Sequence, residues 1–249
     1  VPDRIKTVKV AYVTPESCGA GHAVRGIALV RAGARAGVEL RAFGPTVVYP
    51  ELMRSGYEAG DDWTDRAAEF KPDLLIGDIQ WVMLDRLRKR LGVPAWLLVR
   101  WMRPTHLVSF GSWSVSSWDR RISIEPTADS MVGITDSIPP IVVSNHDEIV
   151  PSVYDGQDVE LETLRSPDAP FPIAPLLTRA RSIVSPAGYN AYWESTWLGY
   201  RDRVRWLQEP HALDRWARLQ TGGKVVANGA DVLMTMIKGA NGSGHSGSA

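Results

Sequence analysis

Ser182-Ile-Val-Ser-Pro-Ala-Gly-Tyr-Asn-Ala-Tyr-Trp-Glu194 is the stretch on which the reading of this chain turns. Its β-branched pair, Ile183-Val184, stops at Pro186. Ala187-Gly188 then open a helix, and Asn190 and Glu194 fall four residues apart on one face of it. Strand, small-residue turn and helix together aim the unpaired backbone N–H groups of a helix start at an anion. A carboxylate one turn further in repels that anion but accepts hydrogen bonds from sugar hydroxyls beside it. The stretch therefore suits a phosphate that carries a ribose. It also suits an ordinary turn between strand and helix, because short motifs are weakly specific.

Working outward, the 249 residues fit one large domain or two small ones, and 44% hydrophobic with 22% charged residues is ordinary for a globular protein. Formal net charge is zero, which gives no support to bulk attraction to nucleic acid or anionic membrane. The single cysteine, Cys18, excludes an internal disulfide. No apolar run is long enough to span a bilayer, and no signal-peptide apolar region opens the sequence, so a cytoplasmic protein is expected. Ten tryptophans are unusual; most belong in a core, and those beside loops suit flat rings or lipids.

From the N-terminus, residues 8–13 read as a buried strand, residues 16–22 as a small-residue loop, residues 23–36 as a helix and residues 38–43 as a second strand. On the helix Val24, Ile27, Ala28 and Val30 face inward, and Arg25, Arg31 and Arg35 are expected outside. This β-α-β unit predicts a parallel sheet with a right-handed crossover. Further strands are expected at 74–78, 95–100, 121–125 and 139–144, with helices at 61–70 and 82–91. An acidic, proline-containing segment over 150–175 follows a change of character near Asn145. The organising turn, a short strand at 204–207 and helices at 213–219 and 226–238 complete the second half. The expected fold class is α/β; two parallel-sheet halves facing a cleft, the second reduced, are what the family resemblance given below implies. The expected division is 1–140, 141–238 and a flexible Gly/Ser tail at 239–249.

Gly19-Ala-Gly21-His22 follows strand one and opens helix one, so its glycines let backbone approach a ligand. The third glycine, Gly26, comes too late for the dinucleotide fingerprint, and no acidic residue closes strand two. His22 has an imidazole suited to general-base work, or is a helix-start histidine held by backbone. Asp78 ends the third central strand at the carboxyl edge, where open α/β sheets bind ligands. There it orients His22, binds an acceptor hydroxyl or caps the next helix. Arg100 and Arg103 follow the fourth strand and would neutralise an acceptor phosphate or pair with local carboxylates. No Asp-x-Asp and no His/Cys/carboxylate cluster suggests a metal, and neither a Gly-x-Ser-x-Gly elbow nor a P-loop is present.

Ser-Pro-Ala-Gly-Tyr-Asn-Ala-Tyr-Trp-Glu194 resembles the donor-binding turn of GT-B glycosyltransferases, in particular the branch of the bacterial N-acetylglucosaminyltransferase of lipid-linked peptidoglycan precursors. The resemblance covers most of the chain and is poor over 150–180. It implies a nucleotide-sugar donor, UDP-sugar favoured, with Ala187, Gly188 and Asn190 at the diphosphate and Glu194 at the ribose. It implies His22 on the acceptor side as base, transfer with inversion, and no metal or other cofactor. Asp214 is the candidate for the sugar hydroxyls or a helix N-cap; Arg215 stands where that family carries Gln, which leaves the sugar open. The expected acceptor is a small or lipid-linked molecule, the latter served by an apolar patch around Trp101, Trp113 and Trp118. A nucleic-acid acceptor, as for transferases that glycosylate modified bases of phage DNA, would use Arg86, Arg88, Lys89, Arg90, Arg100, Arg103, Arg120 and Arg121. The alternative from another class is a non-catalytic nucleotide-sugar- or carbohydrate-binding protein.

Overall fold

The computed structural model of the chain describes residues 7–14, 20–45, 50–79, 81–102, 117–129, 131, 133–161, 170–207, 212–221 and 223–242. Strands β1 (Lys9–Val13), β2 (Glu39–Gly44), β3 (Tyr57–Ala59), β4 (Leu74–Asp78), β5 (Ala95–Val99), β6 (Arg120–Ser123) and β7 (Asp136–Ser137) form one sheet. Its order is β3-β2-β1-β4-β5-β6-β7, and every neighbouring pair is parallel. Helices α1 (Ala20–Ala36), α2 (Pro50–Arg54), α3 (Trp63–Glu69) and α4 (Trp81–Leu91) make the early connections. Strand order reverses between β1 and β4, which opens a crevice at their carboxyl ends.

Both faces of this sheet are covered, so its central strands β1, β4 and β5 are almost wholly apolar and buried. The period of two still sorts them. Val10, Tyr12, Leu40, Ile76, Leu98 and Ile122 point into one core; Ala11, Val13, Phe43, Leu75, Leu97 and Val99 point into the other. Helix α1 lies close to the first face because Gly26 has no side chain. A Cβ there would stand 2.9 Å from both the Tyr12 ring and Ala42 Cβ. That close approach lowers the α1 residues beside Gly26 onto the ends of β1 and β4.

A second, smaller sheet has the order β10-β9-β8, again parallel: β8 (Asp158–Glu160), β9 (Ser182–Pro186) and β10 (Val204–Leu207). Helix α5 (Tyr189–Trp197) follows β9, and α6 (Leu213–Thr221) follows β10. This half is small, with eight buried residues around Ile183 and Leu198 forming its own cluster. Helix α7 (Gly229–Gly242) returns to the first half, where Leu233, Met234 and Ile237 share the α1-side core. The helix continues through Gly242, four residues into the segment expected as a flexible tail, while residues 243–249 lie outside the described residues. Towards its C-terminal end, Lys238 Nζ donates to Ala36 O at 3.2 Å.

The largest departure from expectation is residues 139–144, which form no strand. Their amides are met by side chains instead. Ile141 N donates to Tyr189 Oη at 2.9 Å, Val142 N to Asn228 Oδ1 at 3.4 Å and Val143 N to Glu194 Oε1 at 2.5 Å. Apolar content made this run look like a strand; it is buried as a crossing segment, with three helix-borne or helix-flanking polar groups supplying the partners a sheet would supply. Arg25, expected outside, is 1% exposed, because Asp78 lies beneath α1 to receive it. Trp118 is likewise buried, against Gly77, and contributes nothing to an exposed patch; Trp113 lies outside the described residues.

Candidate functional site

Asp78 is the last residue of β4 and is completely buried. Its Oδ2 accepts from Arg25 Nε at 3.0 Å and Nη2 at 2.8 Å, lies 2.9 Å from His22 Nδ1, and receives a short hydrogen bond from Tyr12 Oη. Tyr12 comes from β1, and His22 and Arg25 from the first two turns of α1, so the switch point of the sheet gathers all four. Among the described residues, Oδ1 of Asp78 meets no donor. Ile79, directly after Asp78, has φ of 67°, a conformation a β-branched residue adopts only under strain. Strain, an orphaned oxygen and a shared carboxylate coincide at one strand end.

The charges around Asp78 act in opposite directions. Burial alone would raise its carboxyl, but Arg25, then His22 and the Tyr12 hydrogen bond, outweigh burial and hold it well below the usual carboxylate range. Burial lowers the His22 pKa; Asp78 opposes that, and Arg25, whose Nη2 is 3.0 Å from Nδ1, adds to it. His22 is therefore held on the neutral side near pH 7, with an ionised carboxylate on Nδ1. It is buried but not sealed: with Gly21 and Arg25 it lines a cavity of about 450 Å³.

The opposite wall of that cavity includes Ser185, Pro186, Gly188, Tyr189, Asn190 and Glu194, from β9 and α5. The two sequence motifs thus meet, and Asn190 Nδ2 donates to Gly21 O at 3.4 Å. Gly188 is the N-cap of α5, and its own amide donates to Pro186 O at 2.8 Å. Among the described residues, no acceptor meets the amides of Tyr189, Asn190 and Ala191. They are the donors this helix start offers, one to three positions after Gly188. Ala187 is buried, and its carbonyl accepts from Arg218 Nη1 at 3.1 Å.

Glu194 borders the cavity while only 4% exposed. Both of its oxygens receive backbone donors, from Val143 and Ser144. Burial pushes its carboxyl up to about 7, against the lowering effect of those hydrogen bonds. A ribose at Glu194 would share the carboxylate with the crossing segment. Asp214, in the first turn of α6, pairs with Arg218 Nη1 at 3.2 Å, and its neighbour Arg215 takes a place on the cavity wall. Gly19 and Arg103 lie outside the described residues.

Sequence reasoning paired His22 with Asp78 but missed Tyr12, Arg25, Glu125, Tyr189 and Arg218. Arg25 was within reach: three residues after His22 it shares that residue's helical face. Glu125 and Arg218 had no such signal, being 93 positions apart. Glu125 is buried and accepts from Arg218 Nε at 2.7 Å, Trp193 Nε1 at 3.2 Å and Trp101 N at 2.9 Å. Arg25 and Arg218 both stack on the Tyr189 ring, at 4.9 Å and 5.7 Å.

Of the basic side chains considered for a nucleic-acid face, five are engaged locally, Arg86 is exposed and Arg103 lies outside the described residues. Arg88 and Lys89 pair with Asp85, Arg90 with Asp65 and Arg120 with Asp136, and Arg121 donates to the carbonyls of Trp118 and Gly133. Among the described residues, no group of three or more His, Cys, Asp or Glu is placed to hold a metal, and no helix is long and apolar enough to cross a membrane.

The sequence matches no protein-family profile and no curated protein. The fold does match solved structures. SnogD, a glycosyltransferase from Streptomyces nogalater, superimposes with a TM-score of 0.54 at 10% identity, over 94% of this chain and 100% of that one. The spinosyn rhamnosyltransferase SpnG, solved with thymidine diphosphate, gives 0.51 at 12% identity, over 91% and 94%. MurG of Acinetobacter baumannii gives 0.51 at 11% identity, over 92% and 91%. The chain has the GT-B fold. MurG stands level with the others, so the likeness does not single out the peptidoglycan branch.

Proposed function

We propose that this chain is a glycosyltransferase that moves a sugar from a nucleoside diphosphate to an acceptor hydroxyl or amine, inverting and without a metal. The observation that carries the reading is the His22–Asp78 pair, 2.9 Å apart at the sheet's switch point, on a cavity wall facing the start of α5. In the tautomer that donates its Nδ1 proton to Asp78 rather than accepting there from Arg25, Nε2 is the basic atom. It takes the acceptor's proton as the acceptor oxygen or nitrogen bonds to the anomeric carbon and the bond to the diphosphate breaks. Asp78 then stabilises the imidazolium that forms, and the amides of Tyr189, Asn190 and Ala191 receive the leaving diphosphate's charge. That a structural neighbour was solved with thymidine diphosphate supports this donor class, with a UDP-sugar as the favoured donor for this chain. Glu194 is proposed to meet the ribose and Asp214 the sugar hydroxyls, each through whatever its present partners leave open.

Calorimetric titration with UDP and thymidine diphosphate, paired with detection of nucleoside diphosphate released from sugar donors, tests this. Binding of one nucleotide, with release abolished by His22→Ala and binding retained, is the expected result. A protein indifferent to every nucleoside diphosphate at millimolar concentration would overturn the reading. Binding without turnover in any acceptor mixture would favour a non-catalytic nucleotide-sugar-binding protein.

A further inference from the structure

We infer that Arg100 marks an oxyanion subsite on the first-half wall of the cavity, built for a phosphate-class group of a substrate. Arg100 directly follows β5, so it stands at the same carboxyl edge as Asp78 and lines the same cavity as His22 and Gly188. It is largely shielded from solvent. Unlike its neighbours, it has no partner: among the described residues it donates no hydrogen bond and forms no ion pair. Burial, then Arg25 and Arg218, work against its charge, and Asp78 and Asp214 favour it. Those carboxylates are already engaged. Asp78 holds Arg25, and Asp214 holds Arg218.

A desolvated guanidinium facing two like charges, with no carboxylate of its own, is costly unless a ligand brings the counter-charge. A guanidinium presents paired N–H donors that match phosphate oxygens, and inside a cavity walled by low-dielectric groups that match is strong. The helix start of α5 lies on the facing wall, so an anion at Arg100 would sit between two sources of positive potential. The subsite deepens the transferase reading by giving one substrate phosphate an address, yet its anion binding is measurable without any turnover.

The test is thermal melting and calorimetry of the full chain and of Arg100→Met, with Arg100→Gln as a second variant. The probes are inorganic phosphate, inorganic pyrophosphate and UDP. In anion-free buffer Arg100→Met should melt higher than the parent, because a repelled cation is gone. Pyrophosphate should raise the melting temperature of the parent only, and its affinity should fall at least about tenfold in either variant. The source of the phosphate is read from two arms. A comparable loss of UDP affinity assigns the subsite to the donor. Unaltered UDP affinity, with phosphate binding to the UDP-saturated parent but not to the variant, assigns it to an anionic acceptor. Equal affinities of parent and variants for all three anions would overturn the subsite. So would an Arg100→Met protein that melts lower and still responds to pyrophosphate, since that is the mark of a structural arginine. Anion binding through Arg100 with no sugar transfer would overturn the transferase reading and leave the subsite standing.

Discussion

Asp78 with Arg25 and Glu125 with Arg218 are both wholly buried arginine–carboxylate pairs, at 2.8 Å and 2.7 Å, yet they are finished differently. Around Glu125 the remaining donors are an indole and a backbone amide, from Trp193 and Trp101. Neither titrates. Both oxygens are used, and Arg218 extends the link to Ala187 O, so the pair ties the edge of the first sheet to the turn before α5. Around Asp78 the further partners are a phenol and an imidazole, one oxygen is orphaned, and the next residue is strained. Two pairs of the same chemistry thus do unlike work. The one completed with inert donors is suited to fixing geometry; the one completed with a titratable ring, beside a cavity, is the one proposed to handle protons.

The contrast is most sharply tested by breaking the reactive pair. His22→Ala should lower turnover by roughly 10² to 10⁴ while leaving nucleotide affinity unaltered. Because burial lowers the His22 pKa, the base is in its active, neutral form throughout the neutral range. The acid limb of the pH–rate profile should lie below about pH 6.5, the ordinary histidine value. A limb well above that, or a variant that loses binding along with turnover, would remove His22 from the chemistry.

Breaking the other pair should act on folding. Glu125→Ala leaves Arg218 buried without its main counter-charge, and urea denaturation should show a loss of about 3 to 5 kcal/mol. Replacing Glu125 and Arg218 together by apolar residues of similar size should recover much of it, since the desolvation penalty leaves with both charges. A loss of turnover with unaltered stability in Glu125→Ala would mean that the two pairs are not different in kind.

These pairs also explain what could be read in advance. The parallel sheet was legible because β1, β2 and β4 close at Pro15, Gly44 and Asp78, and because residues 8–43 make a complete β-α-β unit; β3 and β7, three and two residues long, were too short to show. The meeting of His22 and Asp78 was legible because Asp78 ends β4 and His22 lies in the first turn of α1, the helix after β1, so both fall at one carboxyl edge of the sheet. Residues 139–144 were misread because an apolar run looks the same whether its amides go to a strand or to Tyr189, Asn228 and Glu194. Strand β8, Asp158–Glu160, was invisible because its edge position lets two of three side chains be acidic and exposed. Arg25 and Glu125 were hidden by a general rule, that charged residues lie outside, which holds except where a partner waits inside.

Glu194 sharpens the comparison from a third direction, as a buried carboxylate with no arginine. Burial raises its pKa from 4.5 to about 7, so the folded state favours the protonated form. That contribution is complete below about pH 4.5, the unfolded value, and is lost as pH rises through 7. Between pH 5 and pH 8 the parent should lose roughly 2 to 3 kcal/mol relative to Glu194→Gln, whose amide oxygen can still accept from Val143. Urea midpoints of the two proteins at both pH values measure this. Parallel profiles would show that the backbone donors, not burial, set the titration of Glu194.

The smallest effect is expected where a pair of the same type is exposed. Arg35 on α1 and Asp231 on α7 meet at 2.7 Å, as close as Arg218 and Glu125, but their side chains are 46% and 54% exposed. Distance alone would rank the two bridges as equals. Water decides otherwise: it solvates each charge in the absence of the other, so little is lost when one is removed. Arg35→Ala should cost less than about 1 kcal/mol, and 0.5 M salt should erase most of that by screening. Neither statement holds for Glu125→Ala, whose deficit should persist in salt because the remaining arginine is not reached by ions. If Arg35→Ala proves as damaging as Glu125→Ala, then the packing of α7 on α1 depends on that ion pair. The apolar contact of Leu233, Met234 and Ile237 with the first core would then not be what brings the terminal helix back across the molecule.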